Sequence, residues 1–597
     1  MHDLSLPGDP ADDVGRGAPL SLGGRAFLRF AAQLGFHGLQ LGPQGETTPY
    51  DPSPYDATLF GRNTASIALG PLVDQGLLLE HELAAAVAAR PRGALSRAAH
   101  AEAEAAVGEA LARAWERARG DRGVQDRLRR FAERSAAWLE RSEMHAVLEA
   151  VHGGAEWRSW PEPDRSLLSS APPQVASARL AELRSAHAEA IALYRFGQML
   201  AHEQHQAFRA EARSQGVLLF GDLQIGIAFR DLWSYGGLLA PGLRMGAPPS
   251  RTNPEGQPWG YGVLDPDLYG TRASPGPALA FVQSRARKLL DEFDGIRVDH
   301  PHGLIDPWVY AADDPDPLGA VQRGGRLFSS PDRPALSRFA IARASQLDPA
   351  QPLHADGRVR ELTDAQVERY ATLFDALVEA VRAAGRGPDD IVPEVLSTQP
   401  YPVQRVLARH GLGRFRVTQK AALRDALDVY RAENARPEDW IMVGTHDTEP
   451  IWQVAERWSL QGTAAEHAAA LAARLIPDDG ARAGWAQRVL ASPGALARAQ
   501  LADLFVGPAA NVMIFFADLL GSREIYNRPG TIAPENWSMR IPPDFADAWE
   551  RASREGRALD LPSALATAIR ARGPAFAGAQ AALLAALDQH ARAPADP

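Results

Sequence analysis

The chain has 597 residues and a net charge of −10 with histidine neutral, so it lacks the global basic field that attracts nucleic acid or anionic lipid. It contains no cysteine, which excludes disulfides, thiolate metal sites and cysteine nucleophiles. Its length calls for a large barrel with subdomains or for several domains, and its 45% hydrophobic and 23% charged residues are ordinary for a soluble globular protein. The basic residues are almost all arginine, with lysine only at 288 and 420, which reads as codon bias rather than phosphate recognition. The N-terminus, MHDLSLPGDPADD, has no basic stretch followed by an apolar one. The longest strongly apolar run, 512–520, is too short to span a membrane. The expectation is a soluble, cytoplasmic protein, monomer or homodimer, without nucleic-acid or membrane partners.

In chain order, residues from about 27 to 73 are strand-like and turn-rich, with FHGLQLGPQ followed by PYDPSPYDATLFGRN. From 77 to about 215 the chain is dominated by Ala, Glu and Arg, with apolar residues at helical spacing, as in FAERSAAWLERSEMHAVLEAV. Pro91, Pro161 and Pro163, with Gly120, Gly123 and Gly153, break this stretch into separate helices, so no heptad persists and a coiled coil is excluded. From 217 onward β-like runs alternate with helical ones: GVLLFGDLQIGI, ALAFVQSRARKLLDEF, GIRVDH, ERYATLFDALVEAVRAAG, DIVPEV and WIMVGTHD. Such alternation predicts parallel strands with crossover helices. An Ala-rich helical tail ends in a frayed ARAPADP.

Three acidic residues close apolar runs: Asp299 in DGIRVDHPHG, Glu394 in DIVPEVLS and Asp447 in WIMVGTHDTEP. An α/β barrel enzyme builds its active site on the carboxyl ends of the strands, where such residues would lie. Alternate side chains of a strand share a face, which sets Arg297 beside Asp299 and opposite Ile296 and Val298. A guanidinium two residues before a carboxylate keeps it ionised and oriented, as a nucleophile requires. A structural ion pair would use the same two residues. Two further acids in matching positions favour the catalytic reading.

Seven segments, in order along 42–540, resemble the amylomaltases, the 4-α-glucanotransferases or disproportionating enzymes of the α-amylase clan. LGPQGETTPYDPSPYDATLFGRN resembles the family's LGPTG and SPYQSFSAFAGNP, and the stretch holding Trp157 and Trp160 resembles its helical subdomain with paired tryptophans. LLFGDLQIGIAFRDLW, PPSRTNPEGQPWG, GIRVDHPHG, GTHDTEPIW and NRPGTIAPENWSMRI resemble the family's remaining signatures. The resemblance implies an α/β fold, a (β/α)8 TIM barrel with helical insertions and no separate C-terminal β-sandwich. In it, 1–76 supplies the first strands and a substrate loop, and 77–215 forms a helical insertion. Residues 216–545 complete the barrel with an extended loop at about 311–360, and 546–597 form a helical tail. The Pro/Gly/Asp content of 313–334 predicts a surface loop over the carboxyl face of the barrel rather than a rigid core element.

The resemblance also assigns roles. Asp299 becomes the nucleophile of a retaining double displacement. Glu394 becomes the acid/base, placed by counting back from GLGRFRVTQ because the family's EDLG motif is absent. Asp447 with His446 takes the place of the third carboxylate, which grips sugar hydroxyls. Asp222 resembles the clan's glucose-binding aspartate. Gln257 and Trp259 would line donor subsites, Tyr55 and Asn63 would hold sugars or shape the cleft, and His300 and Arg297 would contact substrate. Trp259 and Trp452 have a core-aromatic reading as the alternative, equally weighted for Trp452. The implied reaction passes α-1,4-glucan segments between maltooligosaccharides or starch-like glucans and needs no metal or cofactor. A related hydrolase, a transglycosylase with an unusual acceptor, and a non-catalytic glucan-binding barrel are the alternatives. Retention of Arg297, Asp299, Glu394 and Asp447 argues against the last. His302, Ser250 and the EVLS and HDTE segments depart from the family pattern, which bears on donor and acceptor sites.

Overall fold

The structure is a computed structural model. It describes residues 1–9, 11–47, 53–89, 97–251, 253–531, 533 and 535–592, with 97–100 described in backbone alone. The expected break at Pro91 and the expected fraying of 593–597 lie outside the described residues. The chain divides into two compact units. The larger comprises His2–Ile391 and Pro400–Val406, and the smaller comprises Val392–Gln399 and Leu407–Pro597 with Met1.

The strands of the larger unit are β1 (Gly38–Gln40), β2 (Leu218–Leu223), β3 (Leu243–Ala247), β4 (Gln257–Tyr261), β5 (Gly295–Val298), β6 (Trp308–Ala311) and β7 (Gly325–Arg326). β1, β2 and β5 are parallel neighbours in that order, and the register sets Asp222 opposite Arg297. β2 is buried from Leu219 onward and β5 along its whole length, as a parallel sheet covered on both faces requires. A parallel crossover needs a long connection, and β2 reaches β5 through the helix Pro277–Glu292. That helix starts with proline in its first turn and buries Leu279, Phe281, Val282, Ala286 and Leu290.

Among the described residues, the stretch from Glu80 to Ser214 is mainly helical. Its longest members are Arg97–Ala118, Arg122–Val151 and Ala188–Ser214. Asp121 caps the second by accepting the Val124 N–H at 2.9 Å. Met144, Leu148, Trp160, Ile191 and Trp233 form a core in this region, so the short helix Phe229–Tyr235 after β2 is seated on the longer helices.

A second, antiparallel sheet runs β4-β3-β6-β7. It corrects the expectation of a surface loop over 313–334, because that stretch contains the helix Pro317–Gln322 and strand β7. Val321 and Leu327 within it are wholly buried, and the Trp308 indole N–H donates to the Val321 carbonyl at 2.8 Å. The turn-forming residues that suggested a loop are helix-start devices: Asp316 accepts the Gly319 N–H at 2.9 Å, and Pro317 opens the helix.

Strand β8 (Ile391–Pro393) starts in the larger unit and continues into the smaller at Val392. The smaller unit then carries β9 (Phe415–Val417), β10 (Trp440–Met442) and β11 (Asn511–Val512), with β10 parallel to both neighbours. Among the described residues no strand follows Val512, and the C-terminal part is helical from Phe545 to His590 apart from its turns. No helix among the described residues is long and apolar enough to cross a membrane.

Asp518 ties this unit's helices together. Its carboxylate accepts the Ile451 N–H at 2.7 Å at the start of the helix Ile451–Leu460, and its carbonyl accepts the Trp452 indole N–H at 2.9 Å. Trp452 is 1% exposed and therefore a core aromatic. Burial raises the Asp518 carboxyl to about 7. A raised carboxyl keeps its proton longer in the folded state than in the unfolded one, so its contribution to stability is complete below about pH 4 and is lost as pH rises through about 7. Asp518→Asn should therefore gain in thermal midpoint over the wild type as pH increases from 5 to 8, read by scanning calorimetry across that range. A difference that stays constant with pH would refute the assignment.

Candidate active site

The larger unit gathers its candidate residues around one guanidinium. Because Asp222 and Arg297 are register partners on adjacent strands, their side chains emerge side by side, and Arg297 Nη1 lies 2.7 and 2.8 Å from the two Asp222 oxygens. The same nitrogen donates to Asp299 Oδ1 at 3.2 Å, so the predicted shared face of Arg297 and Asp299 is what the strand end presents. The Asp222 side chain is wholly buried and that of Arg297 4% exposed, whereas Asp299 keeps 19% exposure. Tyr55 joins from the loop after β1: its hydroxyl donates to Asp222 Oδ2 at 3.0 Å and receives a hydrogen bond from Arg297 at 3.2 Å. Gln40, at the end of β1, donates to Asp222 at 3.2 Å.

Asp299 receives further support. Its N–H donates to the Leu223 carbonyl at 3.1 Å, which continues the β2–β5 ladder past the strand end. Arg285, on the helix Pro277–Glu292, is buried and donates to the Gln224 carbonyl at 2.6 Å. Burial pulls its pKa down to about 10, with Asp231, Tyr235 and Asp299 opposing that fall.

His300 follows with φ +44°, a left-handed conformation that only glycine adopts cheaply. That backbone turn seats its ring edge-on to Trp259, at 4.7 Å and 89°. Trp259 is partly exposed, and its indole N–H donates to Gln257 Oε1 at 3.0 Å, so the two expected donor-subsite residues of β4 hold one another. His302 is buried with its ring 4.7 Å from that of His300. Asn63 is also buried, and its side chain accepts the Ala65 N–H at 3.0 Å, shaping the loop end. Ser250 closes a turn by accepting the Asn253 N–H at 3.1 Å.

The smaller unit carries the other two acids. Glu394, 8% exposed, follows β8, and the Phe415 N–H donates to the next residue's carbonyl, Val395, at 3.1 Å. β9 is joined to β10 on its other side, where the Gln419 N–H donates to the Val443 carbonyl at 3.2 Å. These bonds align the carboxyl ends that bear Glu394, Lys420 and Asp447. Asp447 accepts from Asn527 Nδ2 at 2.6 Å and lies 3.5 Å from His446 Nε2. The His446 ring neighbours Trp537 at 5.6 Å. Trp537 has φ +63°, and it and His300 are the two non-glycine residues with positive φ among the described residues. Both lie beside candidate acids, where stored backbone strain commonly marks a functional site.

Sequence reasoning missed four side chains: Gln40, Arg285, Lys420 and Asn527. The arginine-rich composition, which reads as codon bias, gives Lys420 no role. The Lys420 pKa is lowered by desolvation, with the Asp447 and Glu394 carboxylates acting against the fall, so it is a half-buried cation facing both acids. Asn527 lies in the NRPG segment, whose likeness to the family was visible, but its partner is 80 residues away in sequence.

A sequence model of the 4-alpha-glucanotransferase family matches residues 1–545. The chain belongs to this family. It is 30% identical over 326 residues to the 4-alpha-glucanotransferase of Thermus thermophilus, a match covering 53% of this chain and 60% of that enzyme. It is 24% identical over 468 residues to the chloroplastic/amyloplastic 4-alpha-glucanotransferase of Solanum tuberosum, covering 76% of this chain and 68% of the relative. Among solved structures, the amylomaltase of Streptococcus agalactiae in complex with acarbose superposes with a TM-score of 0.68 at 18% identity, covering 93% of this chain and 97% of that one. The fold is therefore the α/β barrel type of the amylomaltases.

Within this 4-alpha-glucanotransferase family member, the Arg297 centre makes a prediction about stability. Asp222→Asn removes half the countercharge of a buried guanidinium, and breaking a buried pair in this way costs about 3 kcal/mol. Calorimetry should show a lower unfolding midpoint for the variant, and an unchanged midpoint would mean that Arg297 relies on its other partners.

Proposed function

We propose that the protein is a 4-α-glucanotransferase that passes α-1,4-glucan segments between maltooligosaccharides by a retaining double displacement. The observation that carries this reading is Arg297, whose one nitrogen reaches the buried Asp222 and the partly exposed Asp299. Asp222 anchors the guanidinium, and the guanidinium orients Asp299 and favours its ionised form. In the first step the Asp299 carboxylate attacks the anomeric carbon while the glycosidic bond breaks and protonated Glu394 gives its proton to the departing oxygen. In the second, a sugar hydroxyl attacks the glycosyl ester, surrenders its proton to the Glu394 carboxylate and releases Asp299, with net retention. Asp447, held by Asn527 and beside His446, is the third carboxylate, which binds hydroxyls of the distorted sugar. Trp259 supplies a partly exposed aromatic face for a donor sugar, fixed by Gln257 and His300. Family membership and the names of the relatives support the substrate class.

With maltotriose as sole substrate and no metal or nucleotide added, glucose should appear together with maltooligosaccharides longer than the substrate. Chromatography that resolves only glucose and maltose in equal amounts would replace this reading with hydrolysis.

Roles separate by substitution. Asp299→Asn should lower turnover by several orders of magnitude and leave maltooligosaccharide binding measurable in a calorimeter. Glu394→Gln should regain part of its loss on α-glucosyl fluoride, whose leaving group needs little acid assistance. Near wild-type turnover of Glu394→Gln on maltotriose would assign the acid role elsewhere.

A further inference from the structure

The loop that carries Tyr55 is closed at its base by its own backbone. The Asn63 N–H donates to the Gln44 carbonyl and the Thr58 N–H to the Glu46 carbonyl, each at 2.9 Å. Three consecutive residues after β2 then grip it. The Phe229 N–H donates to Asp56 Oδ1 at 3.3 Å, Asp231 Oδ2 accepts the Leu59 N–H at 2.7 Å, and Arg230 Nη1 donates to Glu46 Oε2 at 3.0 Å. The second Arg230 nitrogen, Nη2, donates to Glu149 Oε2 at 3.0 Å, in the last turn of the helix Arg122–Val151. Gln198, on the helix Ala188–Ser214, donates to Glu46 Oε1 at 3.2 Å and to the Arg62 carbonyl at 2.9 Å.

Glu46 and Arg230 are 15% and 18% exposed, so their pair is screened far less than a surface one, while Glu149 is 39% exposed. Burial raises the Glu46 carboxyl, and the Arg230 guanidinium works against that rise. The guanidinium thus offsets part of what burial costs the Glu46 carboxylate, an offset lost if the contact opens. With Gln198, it joins the helical subdomain to the loop whose tyrosine contacts both Asp222 and Arg297.

We propose that Arg230 is a positioning residue for substrate binding, and that the helical subdomain acts through it as a brace that holds the Tyr55 loop in its sugar-binding geometry. Arg230 touches no candidate catalytic acid, so loss of the brace changes how well the loop meets a glucan rather than how bonds are broken. The inference rests on the glucanotransferase reading for its substrate, but its mechanical part stands on the loop contacts alone. A competing account makes Arg230 a tether for the helix Arg122–Val151, with no consequence for the loop.

Four variants of the full chain separate the two accounts: Arg230→Met, Arg230→Lys, Glu46→Gln and Glu149→Gln. Each is measured for maltotriose disproportionation, thermal midpoint and amide exchange over 55–63. The brace predicts that Arg230→Met and Glu46→Gln raise KM about ten-fold with kcat within about two-fold, the scale on which loosened substrate positioning acts. Arg230→Lys should recover part of that loss, and amide exchange over 55–63 should quicken in both Met and Gln variants. Glu149→Gln, which cuts Arg230 from the helical subdomain but keeps its contact to the loop, should also raise KM, by less than Glu46→Gln. The tether account predicts the reverse order, with Glu149→Gln lowering the thermal midpoint and Glu46→Gln leaving KM and exchange unchanged, and that result overturns the proposal. A wild type that fails to disproportionate maltotriose would overturn the functional reading alone, since amide exchange still decides the brace.

Discussion

Everything around the candidate nucleophile depends on a buried positive charge that must be neutralised. A guanidinium at the end of a fully buried strand is tolerated only if carboxylates meet it, because an unpaired interior charge is far more costly than an ordinary packing defect. Parallel pairing of β2 and β5 delivers the first carboxylate, Asp222, at the matching register position, and the strand's own alternation delivers the second, Asp299. Tyr55 and Gln40 then fill hydrogen-bonding capacity that the ion pair leaves on Asp222. The asymmetry of the result matters for chemistry. One carboxylate is wholly buried and spent on structure, and the other retains exposure and can meet a ligand.

How much of this was legible in the sequence follows from range. The β5 segment was readable because a strand's period of two is local, and Arg297 and Asp299 are two residues apart. β8 and β10 were readable for the same reason, as short apolar runs with acids just beyond their ends. Arg285, Lys420 and Asn527 were not, since each reaches its partner from another element, and no local pattern separates an arginine facing an active site from one facing water. The stretch 313–334 failed differently. Its prolines, glycines and aspartates do mark turns and caps, but here they punctuate a short helix and a strand whose Val321 and Leu327 are wholly buried. Turn chemistry says where the chain bends and nothing about whether the bend is covered.

The two units handle their acids by different means. In the larger, arginine fixes the carboxylates from within the sheet. In the smaller, Asp447 is held by a neutral amide and a neighbouring imidazole, and a lysine rather than an arginine faces the acids. Lysine is a compact, readily rehydrated point charge without the fixed fork of a guanidinium. It leaves the acids it faces freer to change partners, whereas arginine suits an acid whose orientation must not change.

His300 sets a limit on attempts to improve this protein. At φ +44° a histidine side chain is disfavoured, and glycine at that position would relieve the conformational penalty. The same replacement would delete the ring that props Trp259 edge-on, leaving the indole without its lateral support. A search that rewards heat tolerance alone would be drawn toward glycine here, and would trade the seating of Trp259, the sugar-binding face proposed above, for melting temperature.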